Sequence, residues 1–177
     1  MQRVKSGDVG AFETIVQRHK GLVYGLCFSM LRCREDAEEA AQDSFLKLFR
    51  NRDLYDESRA LEPWLLRIAG NTSRDLLRRR RNASLPMVRE REGDLLMQLM
   101  EDPKSAQSSD QAATRQAVRQ AIEQMSDRFR LPLVLRYLNG LTNHQIAEAL
   151  GISLSNVKVR LARAKDVLQS RLLEARE

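Results

Sequence analysis

The 177-residue chain lacks most marks of a membrane protein, a β-sheet domain or a metal site. It has no charged start followed by an apolar run, and no apolar run long enough to span a bilayer. That predicts a cytoplasmic protein with no direct membrane insertion. Alternating β-branched runs, hairpin dipeptides and internal repeats are missing, so strands are not expected. Two cysteines (Cys27, Cys33) and two distant histidines (His19, His144) do not make a zinc pattern. Cys27 falls on the apolar stripe of a predicted helix, where a thiol behaves as a small buried hydrophobe. There is no Ser/His/Asp arrangement, no glycine loop to cradle a phosphate and no carboxylate cluster around a histidine. No catalytic residue, cofactor or metal is expected, and the chain is not read as an enzyme.

What is present is charge, unevenly placed. The net charge of +6 makes an acidic partner plausible. From Glu35 to Glu57 the acids Glu35, Asp36, Glu38, Glu39, Asp43, Asp53, Asp56 and Glu57 face only Lys47, Arg50 and Arg52. From Arg67 to Arg91 the balance reverses, with arginines at 67, 74, 78–81, 89 and 91 against Asp75 and Glu90. An acidic surface beside a basic one suggests two kinds of partner.

The periodicity predicts an all-α chain. Phe12, Ile15, Val16, His19, Val23, Leu26, Cys27 and Met30 form one helical stripe ending near Leu31. A second helix is predicted over Asp36 to Phe49, on Ala37, Ala40, Ala41, Phe45 and Leu48. A polar loop with Tyr55 follows, then a third helix from near Pro63, a residue favoured in a first turn, to the arginines at 78–81. Residues 82–111 read as a flexible linker holding Gly93, Pro103 and KSAQSSDQ, with a short helical turn over Asp94 to Met100. Two small helical domains result, 1–81 and 112–177. In the second, one helix carries Val118, Ala121, Ile122 and Met125. The next is expected around Leu131 to Leu138, where Pro132 must kink it or shift its start.

Leu141 to Arg163 then has the form of a helix-turn-helix. Thr142 and Gln145 make a capping box, Ile146, Ala147 and Leu150 one apolar face, and Gly151 the turn. Ser153 is a second N-cap. Val157, Leu161, Ala164 and Leu168 face the core, while Ser155, Asn156, Lys158, Arg160 and Arg163 lie outside, as a major groove accepts. A helical hairpin with a solvated basic face is the plainer alternative. The third helix has a core face (Leu61, Leu65, Ile68, Ala69, Thr72, Leu76) and a narrow stripe of Arg67, Asn71, Arg74 and Arg78. Trp64 and Tyr55 flank that stripe, as aromatics do where unpaired bases stack, although Trp64 equally suits the core. On the second helix, Glu39, Gln42, Asp43 and Leu46 form an acidic, partly apolar stripe that fits a basic protein surface.

These segments together resemble the extracytoplasmic-function (ECF) group of bacterial sigma factors. GDVGAFETIVQRH resembles the opening helix, REDAEEAAQDSFLKLF the polymerase-clamp helix, and PWLLRIAGNTSRDLLRRRR the helix that recognises the −10 element. MSDRFRLPLVLRYLNGLTNHQIAEALGISLSNVKVRLARAK resembles the domain that binds the −35 element. The resemblance implies that Glu39, Gln42, Asp43 and Leu46 contact the clamp coiled coil of core RNA polymerase. It implies that Tyr55, Trp64, Arg67, Asn71, Arg74 and Arg78 face −10 DNA. The loop Asp53 to Arg59 would hold a flipped base. Ser155, Asn156, Lys158, Val159, Arg160 and Arg163 would face the −35 major groove. The second domain would lean on the polymerase flap, and a monomer would be controlled by an anti-sigma protein that can itself sit in the membrane.

Two departures stand out. Val159 replaces a small polar residue, so it either meets a thymine methyl or packs inward. The loop before the third helix is poor in aromatics, which implies modest melting power. The chain also starts close to its first helix, without the upstream residues sometimes seen. A stand-alone dimeric helix-turn-helix regulator and a polymerase-binding module without DNA contacts are the competing readings.

Overall fold

The computed structural model describes residues 1–83 and 109–174. The predicted linker therefore lies outside the described residues except at its ends, and the turn expected over Asp94 to Met100 lies wholly outside them. Every regular element among the described residues is helical. In chain order the α-helices are α1 (Gln2–Lys5), α2 (Val9–Leu31), α3 (Arg34–Arg50), α4 (Leu61–Asn82), α5 (Ser109–Gln124), α6 (Asp127–Tyr137), α7 (Asn143–Leu150) and α8 (Leu154–Glu174), with a 3-10 turn (Arg52–Leu54) between α3 and α4.

Asp8 starts α2: its carboxylate accepts the Ala11 N–H at 2.9 Å. That bond, with the Arg3 guanidinium 2.7 Å away, holds the Asp8 carboxyl below its ordinary value. Val23, Leu26, Cys27 and Met30 of the predicted stripe are buried, while Phe12 and Val16 pack on the edge of the same cluster. Arg32 ends α2 in the left-handed region (φ 56°), its N–H donating to Phe28 O at 2.8 Å.

Helix α3 buries Ala37, Ala40, Ala41, Phe45 and Leu48, the five expected. It starts at Arg34, two residues before the predicted start. Asp36 is no surface acid, because it is buried and paired with Arg80 of α4. Pro63 lies in the first turn of α4, where its missing N–H would have had no helical partner. Leu65, Ala69, Thr72 and Leu76 face inward, but Leu66, Gly70 and Ser73 are buried as well. The third helix thus has more than one covered face.

The second unit packs α5 and α6 on α8 through Ile122, Met125, Leu133, Val134 and Ala164. Helix α6 begins at Asp127, with Ser126 as its extended cap, so Pro132 sits inside the helix rather than at its start. There it forfeits the main-chain bond toward Arg128. The capping box of α7 is complete: Thr142 Oγ1 accepts the Gln145 N–H at 3.2 Å, and Gln145 Oε1 accepts the Thr142 N–H at 2.8 Å. Such a cap contributes about 1 kcal/mol. Gly151 closes the turn at φ 64°, where a Cβ is strained. The Ser153 hydroxyl accepts the Asn156 N–H at 3.2 Å and starts α8, whose Val157, Leu161 and Ala164 are buried.

The two units share one apolar cluster. Leu135, Leu141, Ile146, Ala149, Val157 and Leu161 join the core of α2, α3 and α4. The most extensive contact across the seam is α7 against α4. This is why Ala149, outside the predicted apolar face of α7, is fully buried, whereas Ala147 and Leu150 are half-buried. No helix of the described residues is long and apolar enough to cross a membrane.

Candidate nucleic-acid and protein interfaces

Helix α8 presents Ser155, Lys158, Val159 and Arg163 to solvent, with Asn156 and Arg160 half-buried beside them. Arg160 Nε donates to Asn156 Oδ1 at 3.2 Å, so those two side chains are held together, one turn apart. Val159 is 58% exposed. Of its two options, inward packing is the one the structure does not adopt. An exposed methyl pair between a lysine and an arginine suits a thymine C5-methyl.

On α4, Arg67, Asn71 and Arg78 are exposed, and Arg78 Nη2 pairs with Asp75 at 3.1 Å. Arg74 is half-buried: its guanidinium donates to Asn71 Oδ1 and, at 3.4 Å, to the Ala149 carbonyl of α7. The stripe is therefore continuous along the helix, but one of its four members is engaged across the seam. Tyr55 is 8% exposed, and its hydroxyl donates to the Arg59 carbonyl. Burial pushes its phenol pKa up. Its ring lies 5.1 Å from that of Trp64, which is half-buried. The two aromatics, with Asp56, Arg59, Pro63 and Arg67, line a cavity of about 280 Å³ at the start of α4. Tyr55 serves there as a fixed wall rather than a free platform.

On α3, Glu39, Gln42 and Leu46 are exposed and Asp43 is half-buried, so the four form one patch facing away from α2 and α4. The apolar member, Leu46, is 48% exposed. Sequence reasoning missed two further features. An apolar groove of about 260 Å³ runs between α5, α6 and α8, lined by Val118, Ile122, Leu133, Tyr137 and Leu168. Its signal was Tyr137, an aromatic within the helix expected around Leu131 to Leu138 and 58% exposed. Arg130, which nothing in the sequence singled out, is completely buried.

Neither cysteine lies at these surfaces. Cys27 is fully buried, which pushes its thiol up to about 11 against an opposing hydrogen bond with Ser73. Burial also raises Cys33, whose thiol donates to Glu35 Oε2 at 3.1 Å. Thiolate is the reactive form. Both thiols are therefore expected to resist a disulfide reagent at pH 8 in the native protein and to react together once the chain is denatured. Rapid labelling of either in the native state would revive a redox role. Among the described residues, no three His, Cys, Asp or Glu side chains are grouped to hold a metal.

Comparison with known proteins finds two family models on the chain. Residues 15–83 match the family model for sigma-70 region 2, and residues 115–168 match that for sigma-70 region 4. The chain is similar to the ECF RNA polymerase sigma factor SigW of Bacillus subtilis, with 32% identity over 97% of this chain and 94% of the relative. It is also similar to the RNA polymerase sigma factor CarQ of Myxococcus xanthus, with 30% identity over 98% and 96%. Among solved structures, the fold matches CnrH in complex with the cytosolic domain of CnrY (TM-score 0.67, 24% identity, 99% of this chain and 96% of that chain). It also matches the sigma factor RpoE in complex with the anti-sigma factor NepR from Bartonella quintana (TM-score 0.66, 20% identity, 92% and 96%).

Proposed function

The chain belongs to the ECF group of bacterial RNA polymerase sigma factors, and from that premise we propose how its surfaces divide the work. The patch of Glu39, Gln42, Asp43 and Leu46 docks on the clamp coiled coil of core polymerase. Arg67, Asn71, Arg74 and Arg78 read and hold −10 DNA. The cavity behind Tyr55 and Trp64 receives a base flipped from the melting strand, a step that pays for unstacking with new contacts. Ser155, Asn156, Lys158, Val159, Arg160 and Arg163 lie in the −35 major groove and locate the promoter. The apolar groove on the second unit takes the polymerase flap. The protein works in the cytoplasm as a monomer with one polymerase, and an anti-sigma protein restrains it; the Bartonella quintana RpoE whose fold it shares was solved in complex with an anti-sigma factor.

One observation carries this reading: a single chain holds an exposed acidic patch on α3 apart from two basic helix faces. A repressor that only binds duplex DNA has no use for the first, and a decoy that only binds polymerase has no use for the others. The test is transcription. Purified chain with core polymerase is expected to start transcripts at a promoter bearing both elements; failure to bind core would overturn the proposal. Lys158→Ala and Arg163→Ala are each expected to weaken −35 binding by about 1–3 kcal/mol if the side chain reads a base. A phosphate contact would instead weaken all sequences alike and flatten the salt dependence. Competition binding against −35 variants separates the two.

A further inference from the structure

The loop between α3 and α4 forms one wall of the cavity behind Tyr55 and Trp64. Most of its hydrogen bonds join it to itself. The Tyr55 N–H donates to the Arg52 carbonyl at 3.2 Å, and the Arg59 N–H to the Asp56 carbonyl at 3.1 Å. The Ser58 N–H and hydroxyl both donate to Asp56 Oδ1, at 3.0 and 2.7 Å. Such bonds set the shape of the loop but not its place on the helices. On the far side of Tyr55 lies a cleft of about 660 Å³, whose walls include Val4, Thr14, Arg18, His19 and Glu57. Tyr55 lines both spaces, so the loop is undercut.

Lys5 of α1 spans that gap. Its ammonium donates to the Tyr55 carbonyl at 2.9 Å and pairs with the Glu57 carboxylate at 3.1 Å. Among the described residues it is the loop's one polar tie to a distant part of the chain. A charged donor makes a stronger bond than a neutral one, and Lys5 is half-buried. The arm is also fixed at its base. Val4 has no exposed surface. The Gly7 N–H donates to the Val4 carbonyl at 3.0 Å and the Asp8 N–H to the Arg3 carbonyl at 2.9 Å. Arg3 Nε donates to Asp8 Oδ2 at 2.8 Å, the carboxylate that caps α2. Helix α1 is therefore locked to the start of α2, and Lys5 reaches the loop from a rigid mount.

We propose that Lys5 is a positioning residue for the base pocket. It holds the loop off the cleft and so keeps Tyr55 and Asp56 where a flipped base must fit. The inference rests on the base-flipping reading given above. Lys5 does not line the pocket, so it acts through the loop. Without the ammonium, the Tyr55 carbonyl and the Glu57 carboxylate turn to water, and the loop has the cleft to move into. Contacts to the flipped base must offset the cost of unstacking it. A wall that has to be ordered on binding takes that cost out of the same contacts.

The test uses fork-junction DNA with a duplex −35 element and a single-stranded −10 element, both chosen beforehand by selection with wild-type chain and core polymerase. Each −10 base is replaced in turn by an abasic site, and the Kd of the holoenzyme is measured. For wild type the loss is expected to concentrate at the one position whose base enters the pocket. Lys5→Met keeps the stem and removes the ammonium. It is expected to cut the loss at that position by roughly tenfold and to leave the other positions unchanged. Lys5→Arg keeps the charge and should restore it. Glu57→Gln, at an exposed position, should cut it by about threefold. A merely structural role would change binding at every position alike, and that result overturns the proposal. So does an unchanged loss in Lys5→Met, a failure of Lys5→Arg to restore it, or, should Lys5→Met not fold, an unchanged loss in Glu57→Gln. A wild-type scan with no dominant position overturns the base-pocket reading and the proposal with it. A dominant position that ignores Lys5 leaves the pocket standing without its arm.

Discussion

Replacing Gln42 and Asp43 together by alanine is expected to raise the Kd for core polymerase by roughly 30- to 700-fold, on the order of 2–4 kcal/mol. The two lie at the centre of the α3 patch, with Leu46 as its 48% exposed apolar member. An apolar neighbour that is covered on docking strips water from the charge beside it, and polar groups at the centre of an interface then cost most when truncated. The carboxylates at 35, 38, 39 and 43 also give this end of the molecule a field that draws a basic partner. Loss of Asp43 should therefore reduce the salt dependence of the on-rate as well as the affinity. The substitution leaves the fold alone, since α3 packs through its alanines, Phe45 and Leu48 on the other side and alanine is the better helix former at both positions. Titration of fluorescent core polymerase gives the Kd. DNA binding through α8 is the control and should not change. An unaltered Kd would remove α3 from the interface, and loss of both activities would mean that the variant misfolds.

The parts legible in the sequence were those set by local periodicity and capping. The α3 patch needed only steps of three and four, since among the described residues Glu39, Gln42 and Leu46 stay exposed. The Thr142–Gln145 box and Gly151 are local chemistry, and each forms as written. The parts that were not legible depend on what lies across the seam. Gly70 looks like a weak point in a helix until the Ala149 carbonyl stands against it. Arg74 looks identical to Arg67 and Arg78, yet it alone of the three is half-buried. Asp36 counted as one more surface acid because Arg80 lies 44 residues further on. Tyr55 counted as an exposed ring because nothing in a polar loop announces that its hydroxyl will turn back to Arg59. In each case sequence spacing carries no record of the partner.

Arg130→Ala is the substitution expected to cost most in stability. Arg130 has no exposed surface, and an arginine is fully buried only when its guanidinium is paired. Its Nε and Nη2 donate to Asp127 Oδ1 at 3.1 and 3.0 Å, and Nη2 also donates to the Ser29 carbonyl at 2.9 Å. Truncation strands that carbonyl at the end of α2 with neither water nor donor, and it leaves a void between the units. Removing one partner of a buried ion pair costs about 3–5 kcal/mol. Asp127 is half exposed and can rehydrate, so a loss of roughly 2–4 kcal/mol is expected, or about 5–15 °C in Tm for a chain of this size. Arg130→Met should recover part of it, because the stem packs again while the carbonyl stays unpaired. The shape of the transition is the sharper readout. With the arginine in place, α2 and α6 are tied across the seam and one calorimetric transition is expected for both units. Without it the two should melt apart, the second unit first, because it loses its tie to α2 while the first keeps its own core of α2, α3 and α4. A single transition at an unchanged temperature would mean that Arg130 fills space and bonds nothing of consequence.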